Sequence, residues 1–221
     1  MSSKGTDVRS ESQPTQTSPQ GVLYVVSSPS GGGKGTLIRR MFDLVRDLSY
    51  SVSFTTRAPR PNEVDGREYF FVDRDRFQEM VNAGNFLEWA NVHGNLYGTA
   101  KNQVVNETSA GHDIVLEVDV QGAASVRNLG LDSVSIFILP PSLETLRQRL
   151  IARGADSPAE LEVRLHNAPD ELQQYKDFDY VIFNDEIDRA SAQLASIISA
   201  ERARRCRQER LVSAVIEKFK N

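Results

Sequence analysis

Residues 27–36 read Ser-Ser-Pro-Ser-Gly-Gly-Gly-Lys-Gly-Thr, and their flanks leave few ways to fold a chain around them. Residues 21–26, Gly-Val-Leu-Tyr-Val-Val, are apolar and β-branched, as a buried strand requires. Residues 37–42, Leu-Ile-Arg-Arg-Met-Phe, place apolar side chains at helical spacing. Strand, glycine-rich loop and helix in that order form a phosphate cradle. The glycines let backbone N–H groups approach a polyphosphate, and the helix N-terminus adds about half a positive charge at the same point. Lys34 is placed to bridge the terminal phosphates, and the Thr36 hydroxyl to serve Mg²⁺ or phosphate. The usual pattern is altered twice. Ser28 stands where a glycine is customary, and Gly35 separates Lys34 from the hydroxyl of Thr36.

Length and charge narrow the class. With 221 residues, 39% of them hydrophobic, the chain can build one domain with a sizeable core. A formal net charge of −4 supplies no global basic field, so no nucleic-acid partner is expected. The single cysteine, Cys206, forbids an internal disulfide and fits a reducing compartment. No apolar run approaches the roughly 20 residues that span a bilayer, and the start of the chain lacks the apolar core of a signal peptide. The expectation is a cytoplasmic protein without a membrane partner. Residues 1–20 are rich in Ser, Thr, Gln and Pro and bury too little to offset ordering entropy, so they read as a disordered tail.

The helix after the loop is expected to end near Asp47 or Leu48, and residues 50–54 alternate as one strand. Prolines at 59 and 61 then block both helix and ladder. Residues 68–72 and 86–92 read as strands, with a helix between them capped by Asp73 and stopped by Gly84. A turn at His93, Gly94 and Asn95 leads back through a short strand over 96–98, so 53–100 reads as a small β-rich insert. Beyond it come a helix over 101–110, a strand over 114–119, a strand over 134–139 and a helix from Ser142 to Arg153. A helix starting at Pro158, a strand over 180–183 and one charged helix from Ile187 complete the chain. This alternation predicts an α/β fold, a parallel sheet flanked by helices. Ligands then bind at the carboxyl ends of the strands, where the phosphate loop and Asp119 both lie.

Several side chains stand out by position. Arg57 and Arg60 lie three apart on a Pro-stiffened loop, a fork that suits phosphate oxygens; alone, such a pair would read as a solvated loop. Glu88 sits inside an apolar strand beside Trp89 and needs a partner there. Glu117 and Asp119 share one face of a strand, as ligands or as structurally paired acids. Arg149 and Arg153 are four apart on one helix, with Arg164 on the next; a plain charged surface is the other reading. His93, His112 and His166 show no metal spacing. The run 201–210 reads as a solvated helix face, with a homo-oligomer contact as the alternative.

Six separated motifs occur in one order: Ser-Pro-Ser-Gly-Gly-Gly-Lys-Gly-Thr, Ser-Phe-Thr-Thr-Arg-Ala-Pro-Arg, Gly-Arg-Glu-Tyr-Phe-Phe, Phe-Leu-Glu-Trp-Ala, Tyr-Gly-Thr and Glu-Val-Asp-Val-Gln-Gly. On these the chain resembles a guanylate kinase of bacterial type over about residues 21–199. The resemblance implies a P-loop core, a mixed β GMP-binding insert at about 53–100 and a mobile helical lid at about 142–165; residues 200–221 read as a C-terminal helical extension. It implies phosphoryl transfer from ATP to GMP, giving ADP and GDP, with Mg²⁺ as cofactor. Ser28, Pro29, Ser30, Gly31, Gly32, Gly33, Lys34, Gly35, Thr36 and Asn184 would then bind ATP. Arg57, Arg60 and Tyr69 would hold GMP by its phosphate, Tyr97 would join the GMP site, and Glu88, Ser53 and Thr99 would read guanine. Asp119, with Thr36, would order Mg²⁺ or the phosphates; Glu117 stands where many relatives have Asp, and both acids join the GMP set. Arg153 and Arg164 would join Lys34 and Arg57 on the transferred group. Two rival readings are a guanylate-kinase-like protein-binding module, which typically loses such site residues, and a small kinase acting on a sugar phosphate, which needs no guanine-reading carboxylate.

Overall fold

The computed structural model describes residues 21–154 and 157–220; the tail assigned to 1–20 lies outside the described residues. Its centre is strand β1 (Leu23–Ser27), buried along its whole length. Successive side chains of a strand point to opposite faces. Accordingly Tyr24 and Val26 enter one core with Leu37, Ile38 and Met41 of helix α1 (Lys34–Phe42) and Leu194 and Ile198 of α7 (Ile187–Arg202). Leu23 and Val25 enter the other, with Val104 of α3 (Lys101–Ser109) and Val126 of α4 (Val120–Asn128).

The main sheet runs β2-β7-β1-β8-β9, where β2 is Leu48–Ser51, β7 Asp113–Glu117, β8 Ser133–Leu139 and β9 Tyr180–Phe183. All its pairings are parallel, and helices cover both faces. A second sheet, ordered β4-β3-β6-β5, carries β3 (Phe54–Thr55), β4 (Phe70–Phe71), β5 (Phe86–Val92) and β6 (Asn95–Ala100). It is mixed: β3 pairs parallel with β4 and antiparallel with β6, and β5 and β6 form a hairpin with an irregularity between Phe86 and Glu88. Stacked rings fill it, Phe54 on Phe70 and Phe77 on Phe86, with Phe77 coming from α2 (Arg74–Asn82). Asp73 caps α2 by accepting from the Arg76 N–H, as its sequence context indicates.

Helix α5 (Leu143–Arg153) is capped by Ser142 and closed by Gly154, and α6 (Pro158–Gln173) opens with a capping box of Ser157 and Glu160. They pack together through Leu146, Leu150 and Ala168. No described helix is long and apolar enough to cross a membrane.

Four expectations need correction. Helix α1 ends at Phe42, because Leu44 and Val45 both turn back onto the Met41 carbonyl before the chain enters β2. Residues 50–54 are not one strand: Leu48–Ser51 joins the main sheet and Phe54–Thr55 the insert, leaving Ser53 buried at the crossing. The strand read over 114–119 ends at Glu117, so Asp119 does not share its face but caps a full helix, α4, between β7 and β8. The terminal helix is two, α7 and α8 (Arg205–Phe219), separated by an extended Arg204. Helix α8 buries none of its side chains and leaves Leu211, Val212, Val215, Ile216 and Phe219 exposed.

Candidate active site

The phosphate loop is shaped by glycine conformation and by what presses on it. Gly33, the N-cap of α1, has φ +91°, and a Cβ there would lie 2.3 Å from Asn184 Nδ2. Gly31, at φ +85°, would drive a Cβ into Leu150 of α5 at 2.9 Å. Two polar side chains hold the loop from behind. Asn184 Nδ2 donates to the Gly32 carbonyl at 2.8 Å, and Arg149 donates to the Gly32 and Asn184 carbonyls at 3.2 and 2.9 Å. Asn184 Oδ1 is buried with no hydrogen-bond partner, an acceptor awaiting a donor. The turn is closed by Gly32 N–H on the Pro29 carbonyl at 2.9 Å.

Lys34 Nζ stands 3.9 Å from Glu117 Oε1, and Tyr50 donates its hydroxyl to Glu117 Oε2 at 3.0 Å. Burial first, and the Glu117 charge second, push the Tyr50 phenol far above its ordinary value, so it stays a donor. Gly35 leaves room for this carboxylate: a Cβ there would meet both Glu117 oxygens at 3.4 Å. These groups line a cleft of about 1140 Å³, which also takes in Ser28, Thr36, Tyr69, Arg153 and Asn184. A separate groove of about 560 Å³ between α5, α6 and β9 is lined without a charged side chain and offers no comparable chemistry.

Across the cleft, the loop between β3 and β4 carries Arg57 and Arg60. Arg57 lies over the Tyr69 ring at 5.4 Å, with Tyr97 close by. Tyr69 and Tyr97 meet edge-on at 5.8 Å. Burial, then the neighbouring charges of Arg153 and Arg57, pull the Arg60 guanidinium below its ordinary value. Three cations thus crowd one place, an arrangement that favours an incoming anion.

Glu88 is 7% exposed, and its Oε1 accepts from Thr99 Oγ1 at 2.6 Å, its cross-strand neighbour. Burial raises its carboxyl to about 7; the Thr99 hydroxyl opposes this, and the Asp119 charge adds to it. Asp119 therefore lies near Glu88, and its Oδ1 is occupied capping α4 through the Gly122 N–H at 2.9 Å. A Cβ at Gly122 would come within 2.8 Å of Glu88 Oε2, so a larger residue there would have to push that carboxylate aside.

The singled-out residues thus gather into two groups, one at the phosphate loop and one on the insert, with Arg153 facing both. Arg164 is not among the residues lining the cleft: its Nη1 donates to Ser30 Oγ, while Glu171 of the same helix accepts from the Ser30 N–H at 3.0 Å. Tyr50, Glu63 and the loop-holding role of Arg149 escaped the sequence. For Tyr50 the signal was faint, one phenol in an alternating strand; for Glu63 it was its spacing three after Arg60. Among the described residues no group of three His, Cys, Asp or Glu side chains could by itself hold a metal ion.

Comparison with known proteins agrees with this geometry. The guanylate kinase family model matches residues 20–201. A guanylate kinase of Geobacter sulfurreducens is 46% identical over 200 residues, covering 90% of this chain and 97% of the relative. One of Symbiobacterium thermophilum is 46% identical over 201 residues, covering 90% and 95%. The crystal structure of guanylate kinase from Anaplasma phagocytophilum superposes with a TM-score of 0.75 at 33% identity, covering 92% of this chain and 97% of that one. A matched span running from before β1 into the last turn of α7 encloses both halves of the cleft, and the chain belongs to the guanylate kinase family.

Proposed function

We propose that this chain transfers the γ-phosphoryl group of ATP to GMP, giving ADP and GDP. The observation that carries the reading is the pairing of a phosphate loop with a buried, Thr99-bonded carboxylate at Glu88 on the facing insert. Guanine offers N1–H and its 2-amino group side by side, and one ionised carboxylate accepts both. Thr99, on the strand paired with that of Glu88, and Ser53 are both buried and supply the remaining polar contacts to the base edge. The GMP phosphate lies on Arg57 and Arg60, with the Tyr69 and Tyr97 hydroxyls beside them.

ATP takes the loop from Ser28 to Thr36, with adenine donating to the orphaned Asn184 Oδ1. The attacking phosphate oxygen is already charged, so the work is alignment and charge neutralisation rather than base catalysis. Lys34 and Arg153 serve the transferred group, joined by Arg57. Arg164, bonded to Ser30, acts by holding α6 on the loop. Mg²⁺ would supply positive charge to offset that of the phosphates. The oxygen donors present fit it: the Thr36 hydroxyl and the Glu117 carboxylate, which already faces Lys34. Asp119, with one oxygen spent on its helix cap and the other acid Glu88 nearby, fits the guanine side better than the metal. Within the kinase domain, 21–199, the insert (about 53–100) and the α5–α6 segment (about 142–165) close over the two nucleotides to exclude water.

The non-catalytic module and the sugar-phosphate kinase both lose ground, because Lys34 and every guanine-side residue are in place. The test is ADP formation with GMP, AMP, CMP and UMP in turn. GMP alone should support rapid turnover; equal rates with AMP would overturn the assignment.

A further inference from the structure

Residues 57–63 form a closed loop centred on a carboxylate for which the phosphoryl transfer above has no use. Glu63 accepts from Arg57 Nη2 with both oxygens, each at 2.9 Å. Its Oε2 also accepts from the Arg60 backbone N–H at 2.8 Å, and the Glu63 N–H returns to the Arg60 carbonyl at 3.1 Å. The Arg60 guanidinium stands 3.7 Å from Oε1. One carboxylate thus ties two arginine side chains to the backbone between them. The pair is shielded, with the Arg57 and Glu63 side chains 13% and 16% exposed, so its attraction is screened less than on an open surface.

We propose that Glu63 is a positioning residue for the phosphate of the acceptor nucleotide, aiming Arg57 and Arg60 without touching the substrate itself. This rests on the GMP reading above. The rival role is a stand-in anion that the substrate must displace. A carboxylate bound only to guanidinium groups would suit that role. Glu63 is bound to more: if it left, the Arg60 N–H would lose its acceptor, and the turn containing Asn62 at φ +73° would lose its clasp. Arg57 is fixed on its other sides by the Ala58 carbonyl at 2.7 Å and by the Tyr69 and Phe71 rings. A guanidinium has five N–H donors, so these contacts leave it donors for a phosphate. Burial works to raise the Glu63 carboxyl, but the Arg60 N–H and then Arg57 outweigh it and hold the group below its ordinary value. The carboxylate therefore stays charged throughout the working pH range and keeps its hold.

The test uses the full chain with Glu63→Ala and Glu63→Gln. The readouts are KM and kcat for GMP and ATP, the Kd of guanosine, which has the base without the phosphate, and the Tm. Glu63→Ala should raise the GMP KM about tenfold, the scale of one charged hydrogen bond, while leaving guanosine Kd and ATP KM nearly unchanged. Glu63→Gln keeps an acceptor for the Arg60 N–H and should recover part of the loss; it also carries the test if the alanine variant does not fold. An unchanged or lowered GMP KM would overturn the proposal in favour of a displaced stand-in. Equal weakening of guanosine and GMP would overturn it in favour of general loop disorder. A wild-type protein inactive on GMP would instead contradict the proposed function, which separates the two failures.

Discussion

The phosphate loop and the insert both face a phosphorylated nucleoside, yet they are made of different material. At the loop the structure offers backbone N–H groups, one lysine and glycines, with the Gly32 carbonyl tied off from behind by Arg149 and Asn184. On the insert it offers side chains: Arg57, Arg60, Tyr69 and Tyr97 at one end, Glu88 and Thr99 at the other. The first surface is limited by what may not be added, since a Cβ at Gly31 or Gly33 has nowhere to go. The second is limited by what may not be taken away, since each side chain carries its own charge and direction. Backbone reads a polyphosphate that every nucleoside triphosphate shares; side chains are needed where one base must be told from another.

The largest expected effect tests the lysine, the one charged side chain of the loop. Lys34→Ala should lower kcat by about 10²- to 10³-fold, because the charge it answers grows in the transition state. GMP affinity should barely move, and comparable losses in both would erase the division between the two sides. Next is Gly33→Ala. Its positive φ and the 2.3 Å approach to Asn184 should raise the ATP KM by at least about tenfold, with GMP binding spared. A variant with ordinary ATP binding would show that the loop is not held as tightly as Asn184 and Arg149 suggest.

Much of this was legible in residue order. The alternation of apolar runs gave the parallel sheet, and Asp73, Ser142, Gly154 and Pro158 marked helix ends where the structure has them. Helix α4 was hidden because Gly122, a poor helix former, sits in its first turn; the reason is the neighbouring Glu88, which no local pattern reveals. The split of residues 48–55 between two sheets was hidden for the same reason, as alternation says which side chains share a face but not which sheet owns them. Glu117, Asp119 and Arg164 could be picked out by type and spacing. Their surroundings, a lysine and a phenol for Glu117, a helix cap for Asp119 and a loop serine for Arg164, come only from tertiary packing.

Smaller effects follow from the Glu88 proton. With its carboxyl at about 7, the ionised form that guanine needs is lost on acidification. The kcat/KM for GMP should therefore fall about tenfold per pH unit below that value, while ATP binding stays level. Stability should move the other way. The folded protein holds this proton between the ordinary 4.5 and about 7, whereas the unfolded chain does not. The contribution of Glu88 is thus fully present below 4.5 and is lost, by about 3 kcal/mol, as pH rises through 7. Urea unfolding of Glu88→Gln should lack that slope and give a more stable protein than wild type at pH 8. A slope unchanged by the substitution would show that the carboxyl is not strained by burial.

The most direct test of the side-chain half is base discrimination by wild type and Glu88→Gln. AMP presents a lone pair at N1 and no 2-amino group, so it forgoes two hydrogen bonds to a charged group. The wild-type kcat/KM should favour GMP over AMP by roughly 10²-fold or more. Glu88→Gln removes the charge and turns one acceptor into a donor, so most of that preference should vanish while the ATP KM stays near its wild-type value. A mutant that still prefers GMP by the wild-type margin would contradict the account, for the base would then be read elsewhere.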